Sequence, residues 1–316
     1  MSKDLPLVSV VINSFNQAAY LEETILSVLK QDYPRMEVLL VDGGSSDGSL
    51  EIIQRYAEKF TWWVSEKDSG QAEGINKGFQ HASGSLVAWL NSDDYYLPGA
   101  VSRAAAKFQQ SPDAVLIYGD VMAVDGQGQP IHQMRTGDWQ LADLMEFHIL
   151  NQPAVFINGD ILRKTGGLDL GYHYLLDHQL WLRLATHGRM VHVTENWAAG
   201  RFHAAAKNVA AAARFGEEAY RIADWLHGTA PYDVIGRGRW QRVQAGAHRL
   251  NARYLLDGGQ PRQALAAYLK GLREYAPLVL PEWHRMLYGL LSLAGLAGLK
   301  RLYLQLRGML QPAKLK

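Results

Sequence analysis

Asn91-Ser92-Asp93-Asp94 sets two adjacent carboxylates and an amide at the end of the apolar run Leu86 to Leu90. An apolar run of that length reads as a buried strand. Adjacent carboxylates repel, and burying them is costly unless positive charge compensates. A divalent cation supplies such charge, and hard cations prefer oxygen ligands. Asp93 is the better ligand candidate, and Asn91 is a neutral partner for a sugar or ribose hydroxyl. The plain alternative is a solvated turn in which Asp94 caps the helix after Pro98.

Other polar residues stand where other apolar runs stop. Asp42 closes "MEVLLVD" and precedes small, turn-forming residues, Gly43 to Ser46. That spacing exposes a carboxylate to hydrogen bonds from a base or ribose. The same stretch also reads as strand, turn and helix with Asp47 as N-cap. "NSFNQ", Asn13 to Gln17, is short and polar, and it lacks the glycine spacing of dinucleotide and Walker-type phosphate loops. Asp68 and Asn76 lie in "SEKDSGQAEGINKG"; an asparagine in mid-helix is as often a local hydrogen-bonder as a ligand contact. Asp177 stands near the start of an amphipathic stretch, Tyr174 to Gly188. An acid there is ordinarily a favourable dipole partner. It becomes a general-base candidate if the helix points its N-terminal end at the metal edge. His203 ends "GRFH"; with Lys207 it would bind a diphosphate or complete a metal site.

The elements that must hold these residues alternate. "LVSVVIN", "MEVLLVD", "TWWVSE" and "SLVAWLN" read as strands. Between them Leu21, Ile25, Val28 and Leu29, then Leu50, Ile53 and Tyr56, then Ile75 and Phe79, recur at helical spacing. Such alternation predicts a mainly parallel sheet, with ligands at the carboxyl ends of the strands. From about Ser111 to His203 the pattern is mixed, with a hairpin around Asp125 to Gly128 and one or two strands in "RMVHVTENWAAGRFH". The remainder is helical and rich in Ala, Leu and Arg.

The 316 residues suffice for two domains. No cysteine is present, which excludes disulfides, zinc-thiolate sites and thiol nucleophiles. No long apolar segment precedes the first strand, which argues against a signal peptide. The net charge of +1 hides an asymmetry: 15 Lys+Arg against 24 Asp+Glu up to Ala206, then 17 against 7 from Lys207. The two parts carry −9 and +10, which sum to that +1. A basic tail on an acidic body points to different partners for the two parts. An anionic membrane surface is preferred here over nucleic acid. Met286 to Leu299 is uncharged but shorter than the roughly 20 residues needed to span a bilayer. It reads either as an interfacial segment or as the core helix of a small helical subdomain.

Taken together, "VSVVINSFNQAAYLEETILSVLKQDYPRMEVLLVDGGSSDGS", "DSGQAEGINKGFQHASGSLVAWLNSDD" and "GGLD…LLDHQLWLRLA" resemble the inverting glycosyltransferases of family 2. The resemblance covers about residues 6–205. It implies an α/β fold of the GT-A type: a Rossmann-like mixed sheet flanked by helices, with a helical C-terminal region. Residues 1–205 would form the transferase domain, 1–110 its nucleotide-sugar half and 111–205 its acceptor half, with 206–316 helical and basic. By resemblance Ser14, Phe15 and Asn16 form the first donor loop and Asp42 contacts the base. Asp68, Asn76, Asn91 and Ser92 complete the nucleotide-sugar site. Asp93 holds Mg2+ or Mn2+, His203 reaches the metal or diphosphate, and Asp177 is the catalytic base. Asn91 stands where the family's metal motif has its first acid, and Leu176 where a glutamate precedes the base.

The implied activity is metal-dependent transfer of a sugar, with inversion, from a nucleoside diphosphate to a saccharide or lipid-linked saccharide hydroxyl. The implied setting is polysaccharide biosynthesis in the cytoplasm or at the inner face of the membrane. A catalytically impaired nucleotide-sugar-binding module and a polyprenyl-phosphate sugar transferase are the rival readings.

Overall fold

The computed structural model describes residues 5–203 and 211–294. Two compact units form, Met1–Leu141 with Ile149–His203, and Ala142–His148 with Ala204–Lys316. Lys207 and residues 295–299, both singled out above, lie outside the described residues.

The first unit opens with strict alternation: β1 (Val8–Ser14), α1 (Ala18–Leu29), β2 (Met36–Asp42), α2 (Ser49–Arg55), β3 (Trp62–Ser65), α3 (Gln71–His81) and β4 (Leu86–Asn91). The branched apolar runs make these strands because both faces are covered, so polar alternation is absent. Leu21, Ile25 and Val28 of α1 join Val10, Ile12, Leu40 and Leu90 in one core. Along the chain then follow β5 (Tyr95–Tyr96), α4 (Ala100–Gln109), β6 (Ala114–Val124), β7 (Pro130–Met134), α5 (Leu141–Met145, which from Ala142 on is part of the second unit), β8 (Val155–Asn158), α6 (Gly159–Thr165), α7 (Leu176–Leu184) and β9 (Arg189–Arg201).

The strand order is β3-β2-β1-β4-β8-β6-β9-β5, with β7 paired to β6. The first four are parallel, and β8 runs antiparallel to both β4 and β6, which makes the sheet mixed. The chain leaves β1 in one direction to β2 and β3 and returns on its other side as β4. That reversal is the crevice where open α/β sheets bind ligands. Register then aligns the polar strand ends. Asn13 pairs with Asn91, Ser14 pairs with Asp42, and Asp42 pairs with Ser65.

Two local expectations change, at a helix and at a helix cap. The helix expected over Tyr174–Gly188 is only Leu176–Leu184. The stretch from Arg189, expected as one or two strands, is a single strand of 13 residues, irregular in its pairing with β6. Gly48, not Asp47, occupies the N-cap of α2. Asp47 instead accepts from Ser49 N at 3.2 Å and from Ala18 N, at the start of α1, at 2.9 Å.

The second unit is helical: α8 (Ala212–Gly228), α9 (Tyr232–Ile235), α10 (Trp240–Asp257), α11 (Pro261–Val279) and α12 (Trp283–Leu293). Ala245, Ala252, Leu255 and Leu256 of α10 pack on Ala264, Ala267 and Tyr268 of α11. Helix α11 kinks at Tyr275, next to Pro277, whose ring cannot sit in a regular helix. Ala142–His148 belongs with this unit because α10 grips it. Arg239 and Arg242 pair with the buried Glu146 at 3.4 and 2.9 Å. Arg249 donates to the carbonyls of Glu146 and Phe147. No helix among the described residues is long and apolar enough to cross a membrane.

Candidate active site

The turn after β4 is held from three sides. Ser92 N continues the sheet by donating to Asn13 O at 3.1 Å. Thr24 Oγ1 of α1 donates to Ser92 O and Asp94 O at 2.9 and 2.7 Å. From β9, Arg201 Nε donates to Asp93 O at 3.0 Å, and Arg201 N to Asp94 Oδ1 at 2.9 Å. Asp94 is therefore an internal acceptor and not a helix cap. Burial first, and then the neighbouring Asp93 charge, push its carboxyl well above the usual range.

With its backbone pinned, Asp93 turns its carboxylate towards His203, Oδ2 to Nε2 at 3.1 Å. The two side chains keep 20% and 10% exposure, enough to admit a ligand. Tyr20 of α1 packs its ring on the His203 imidazole at 5.0 Å. Among the described residues no group of three His, Cys, Asp or Glu side chains could hold a metal. A pair is nonetheless a suitable donor set for a cation that shares its shell with phosphate and water.

Arg201 is the residue that sequence reasoning missed. It is buried, and its guanidinium also donates to Asp125 O and Gly126 O at 3.3 and 3.2 Å. It pairs with Glu23 and lies over the Tyr20 and Tyr95 rings at 4.7 and 5.5 Å. A buried arginine needs every donor satisfied, and meeting that need ties β9, α1 and the β6–β7 loop to the Asp93 turn. The available signal was a charged residue inside the otherwise uncharged run "NWAAGRF".

Asn91 is fixed by an amide relay. Gln71 Nε2 donates to Asn91 Oδ1 at 2.9 Å, Asn91 Nδ2 to Gln152 Oε1 at 3.2 Å, and Gln152 Nε2 to Trp89 O at 2.8 Å. Asn91 also hydrogen-bonds the Asp94 carboxylate. Only an amide both accepts and donates here, so the neutral residue suits this relay where an acid would not.

Two of the expected ligand contacts have hydrogen-bond partners within the chain. Asp42 does not expose its carboxylate: it is fully buried and accepts from Gly44 N, Ser45 N, Ser45 Oγ and Ser65 Oγ at 3.2, 2.9, 2.5 and 2.7 Å. Those bonds fold the β2–α2 loop. Asn76 spends its amide on one residue, accepting from Leu168 N at 2.7 Å and donating to Leu168 O at 2.8 Å. It positions the loop before α7.

The remaining candidates cluster on the same edge. Ser14 is buried, and neither its Oγ nor Asn13 Oδ1 has a hydrogen-bond partner. Phe15 is 59% exposed beside them. Asn16 adopts φ 51, a conformation asparagine tolerates, and joins the β1 and β2 loops through Ser45 Oγ and Ser46 N. Ser92 is buried within the turn. Asp68 is wedged between Gly43 and Gly74, where an added Cβ would lie 2.8 and 2.9 Å from its carboxylate. Burial raises its carboxyl above the usual range, and the hydrogen bond from Gly70 N and the Lys77 charge only partly oppose this.

Asp177 lies in the first turn of α7 and accepts from His178 N at 2.7 Å. The i, i+4 spacing puts it on the Trp181 face. Trp181 stacks on Trp89 at 5.1 Å, and Trp89 leaves β4 on the face that Asn91 also uses. Beyond its carboxyl end, α7 leads into β9, which starts beside Ala114 at the amino end of β6. The opposite end of the helix, with Asp177, therefore points towards the carboxyl edge of the sheet.

A family model described as Glycosyl transferase family 2 matches residues 9–161. An uncharacterized glycosyltransferase of Nostoc sp. is 28% identical over 224 residues, 67% of this chain and 69% of its own length. Putative teichuronic acid biosynthesis glycosyltransferase TuaG of Bacillus subtilis is 36% identical over 125 residues, 38% of this chain and half of its own. Among solved structures, the mannosyltransferase PcManGT of Pyrobaculum calidifontis, with GDP-Man and Mn2+, superposes with a TM-score of 0.62 at 18% identity. The alignment covers 97% of this chain and 88% of that one. Staphylococcus aureus TarS 1-349 with UDP gives 0.56 at 17% identity, over 87% and 91%. The fold is that of the GT-A glycosyltransferases.

Proposed function

We propose that the chain transfers a sugar, of hexose type, from a nucleoside diphosphate to the hydroxyl of a saccharide or lipid-linked saccharide, with inversion at the anomeric carbon. The observation that carries this reading is the Asp93–His203 pair at 3.1 Å, set at the crevice of the parallel strands with Asp177 directed to the same edge. Relatives named for teichuronic acid and O-antigen biosynthesis support a polysaccharide pathway. Neighbours solved with UDP, UDP-GlcNAc, and GDP-Man with Mn2+ support the donor class.

Asp93 and His203 are the residues that would hold Mg2+ or Mn2+. When bound there, the ion offsets the negative charge that gathers on a departing diphosphate. Ser14, Phe15 and Asn16 line the donor loop, where the free Ser14 Oγ and Asn13 Oδ1 await hydrogen-bond partners. Asp68, Asn91 and Ser92 shape the same pocket. Asp177 takes the proton of the acceptor hydroxyl as that oxygen attacks the sugar. A lipid-linked acceptor would bring the enzyme to the inner face of the membrane as a peripheral protein.

The test is release of nucleoside diphosphate from UDP-, GDP- and dTDP-sugars with Mn2+, with and without acceptor. Asp177→Asn should lower transfer to a hydroxyl by about 10²–10⁴-fold, the worth of general-base catalysis. A donor that binds but never turns over would instead mark a binding module. Near-full activity of Asp177→Asn would mark a polyprenyl-phosphate acceptor, which needs little deprotonation.

A further inference from the structure

Within the helical unit, the short turn Leu280–Glu282 and the helix α12 that follows it directly have two unlike faces. Glu282, Arg285 and Gly289 are buried on one. On the other, Leu280, Trp283, Leu287 and Leu290 are 53%, 52%, 46% and 56% exposed. Their spacing of three, four and three residues makes one continuous stripe along the helix. Leu293, 44% exposed, extends it at the end. Single exposed leucines need no explanation, but a contiguous row of large apolar side chains does.

We infer that this stripe is a docking surface for an anionic phospholipid bilayer. Charge complementarity selects that occupant. After α12 the sequence runs on for residues 295–316, which hold Lys300, Arg301, Arg307, Lys314 and Lys316 and no acid, a charge of +5. Leucines and a tyrosine alternate with those bases. Apolar side chains beside Lys and Arg, with a tryptophan on the stripe, are what an interfacial helix presents to lipid. Each base near an anionic surface adds to the attraction. A second copy of the chain is the poorer occupant. It would bring a second +10 segment against the first, and like charges across an interface are unfavourable.

The inference extends the lipid-linked reading of the acceptor, but it is tested without any donor, so its failure leaves sugar transfer untouched. The full chain is floated with vesicles of phosphatidylcholine alone or with about one third phosphatidylglycerol. Binding is expected only to the anionic vesicles, weakening as salt is raised. Leu287→Glu with Leu290→Glu should cut the bound fraction about tenfold or more, with an unchanged melting temperature, because both side chains already meet water.

Three results would overturn the proposal. If the double variant floats like the parent, the stripe is not the contact. If the parent is a dimer in sedimentation and the variant a monomer, the stripe binds a second copy. If the variant melts far lower, residues 295–316 cover the stripe.

Discussion

Each unit buries a carboxylate, and each satisfies it with opposite means. Asp42, in the sheet, takes four hydrogen bonds from neutral groups, two backbone amides and two serine hydroxyls. Glu282, in the helical unit, is held by Arg253 Nε at 2.6 Å and Tyr268 Oη at 2.8 Å, with Arg249 at 3.8 Å. Burial raises the Glu282 carboxyl, and the charges of Arg253, Arg249 and Arg285 overcome it and bring it down to about 2. The neutral donors around Asp42 fold the β2–α2 loop without an ion pair. The helical unit instead uses ion pairs as internal struts.

The contrast is sharpest at Glu282. Removing its charge leaves the buried Arg249 and the partly exposed Arg253 without their counter-ion, and breaking a buried pair costs about 3–5 kcal/mol. Glu282→Gln should therefore show the largest loss of stability in urea denaturation near pH 7. The pH dependence follows from the sign of the shift. A glutamate ordinarily titrates near 4.3, and this one titrates near 2 in the folded chain. Its stabilisation is complete above about pH 4.3 and is lost as pH falls towards about 2. Glu282→Gln should lose that part of the acid slope and keep the rest.

Asn91 probes the sheet edge next. Asn91→Asp puts an acid at this position, yet its new oxygen would face Gln152 Oε1 and the Asp94 carboxylate, both acceptors. Unsatisfied buried groups of this kind cost about 1–3 kcal/mol. The expected result is a lower melting temperature with no gain in Mn2+ affinity measured by calorimetry. A variant as stable as the parent that binds Mn2+ more tightly would show that the relay does not govern this position.

Much of this architecture was legible in the chain itself. Strands β1 to β4 announce themselves as branched apolar runs, and α1 and α3 as periodic ones, because both signals are local. The parallel register then brings Asn13, Ser14, Asp42, Ser65 and Asn91 to one edge without further information. The roles within that edge were less legible, since partners far apart in sequence decide them. Asn76 finds Leu168 across 92 positions, and Arg201 reaches Asp93 across 108. Asp42 looked exposed because serines and glycines follow it, whereas those residues wrap it. Strand β5 has only two residues, and its pairing with Ala198 and Ala199 leaves no periodic trace.

The smallest effect belongs to Asp42→Asn. An asparagine can set its carbonyl where Asp42 Oδ2 now accepts from Gly44 N, Ser45 N and Ser65 Oγ, and keep all three bonds. Its amide then replaces Oδ1 and meets Ser45 Oγ, a hydroxyl that can accept as well as donate. That oxygen already accepts from Asn16 N at 2.8 Å, and its second lone pair takes the new donor. Only the Ser45 proton must find another acceptor, so the loss should be about 1 kcal/mol, one ordinary hydrogen bond. Chemical denaturation of Asp42→Asn beside Glu282→Gln reads the difference directly. A loss at Asp42 as large as that at Glu282 would mean that the sheet needs the negative charge itself, and the distinction between neutral and ionic support would fail.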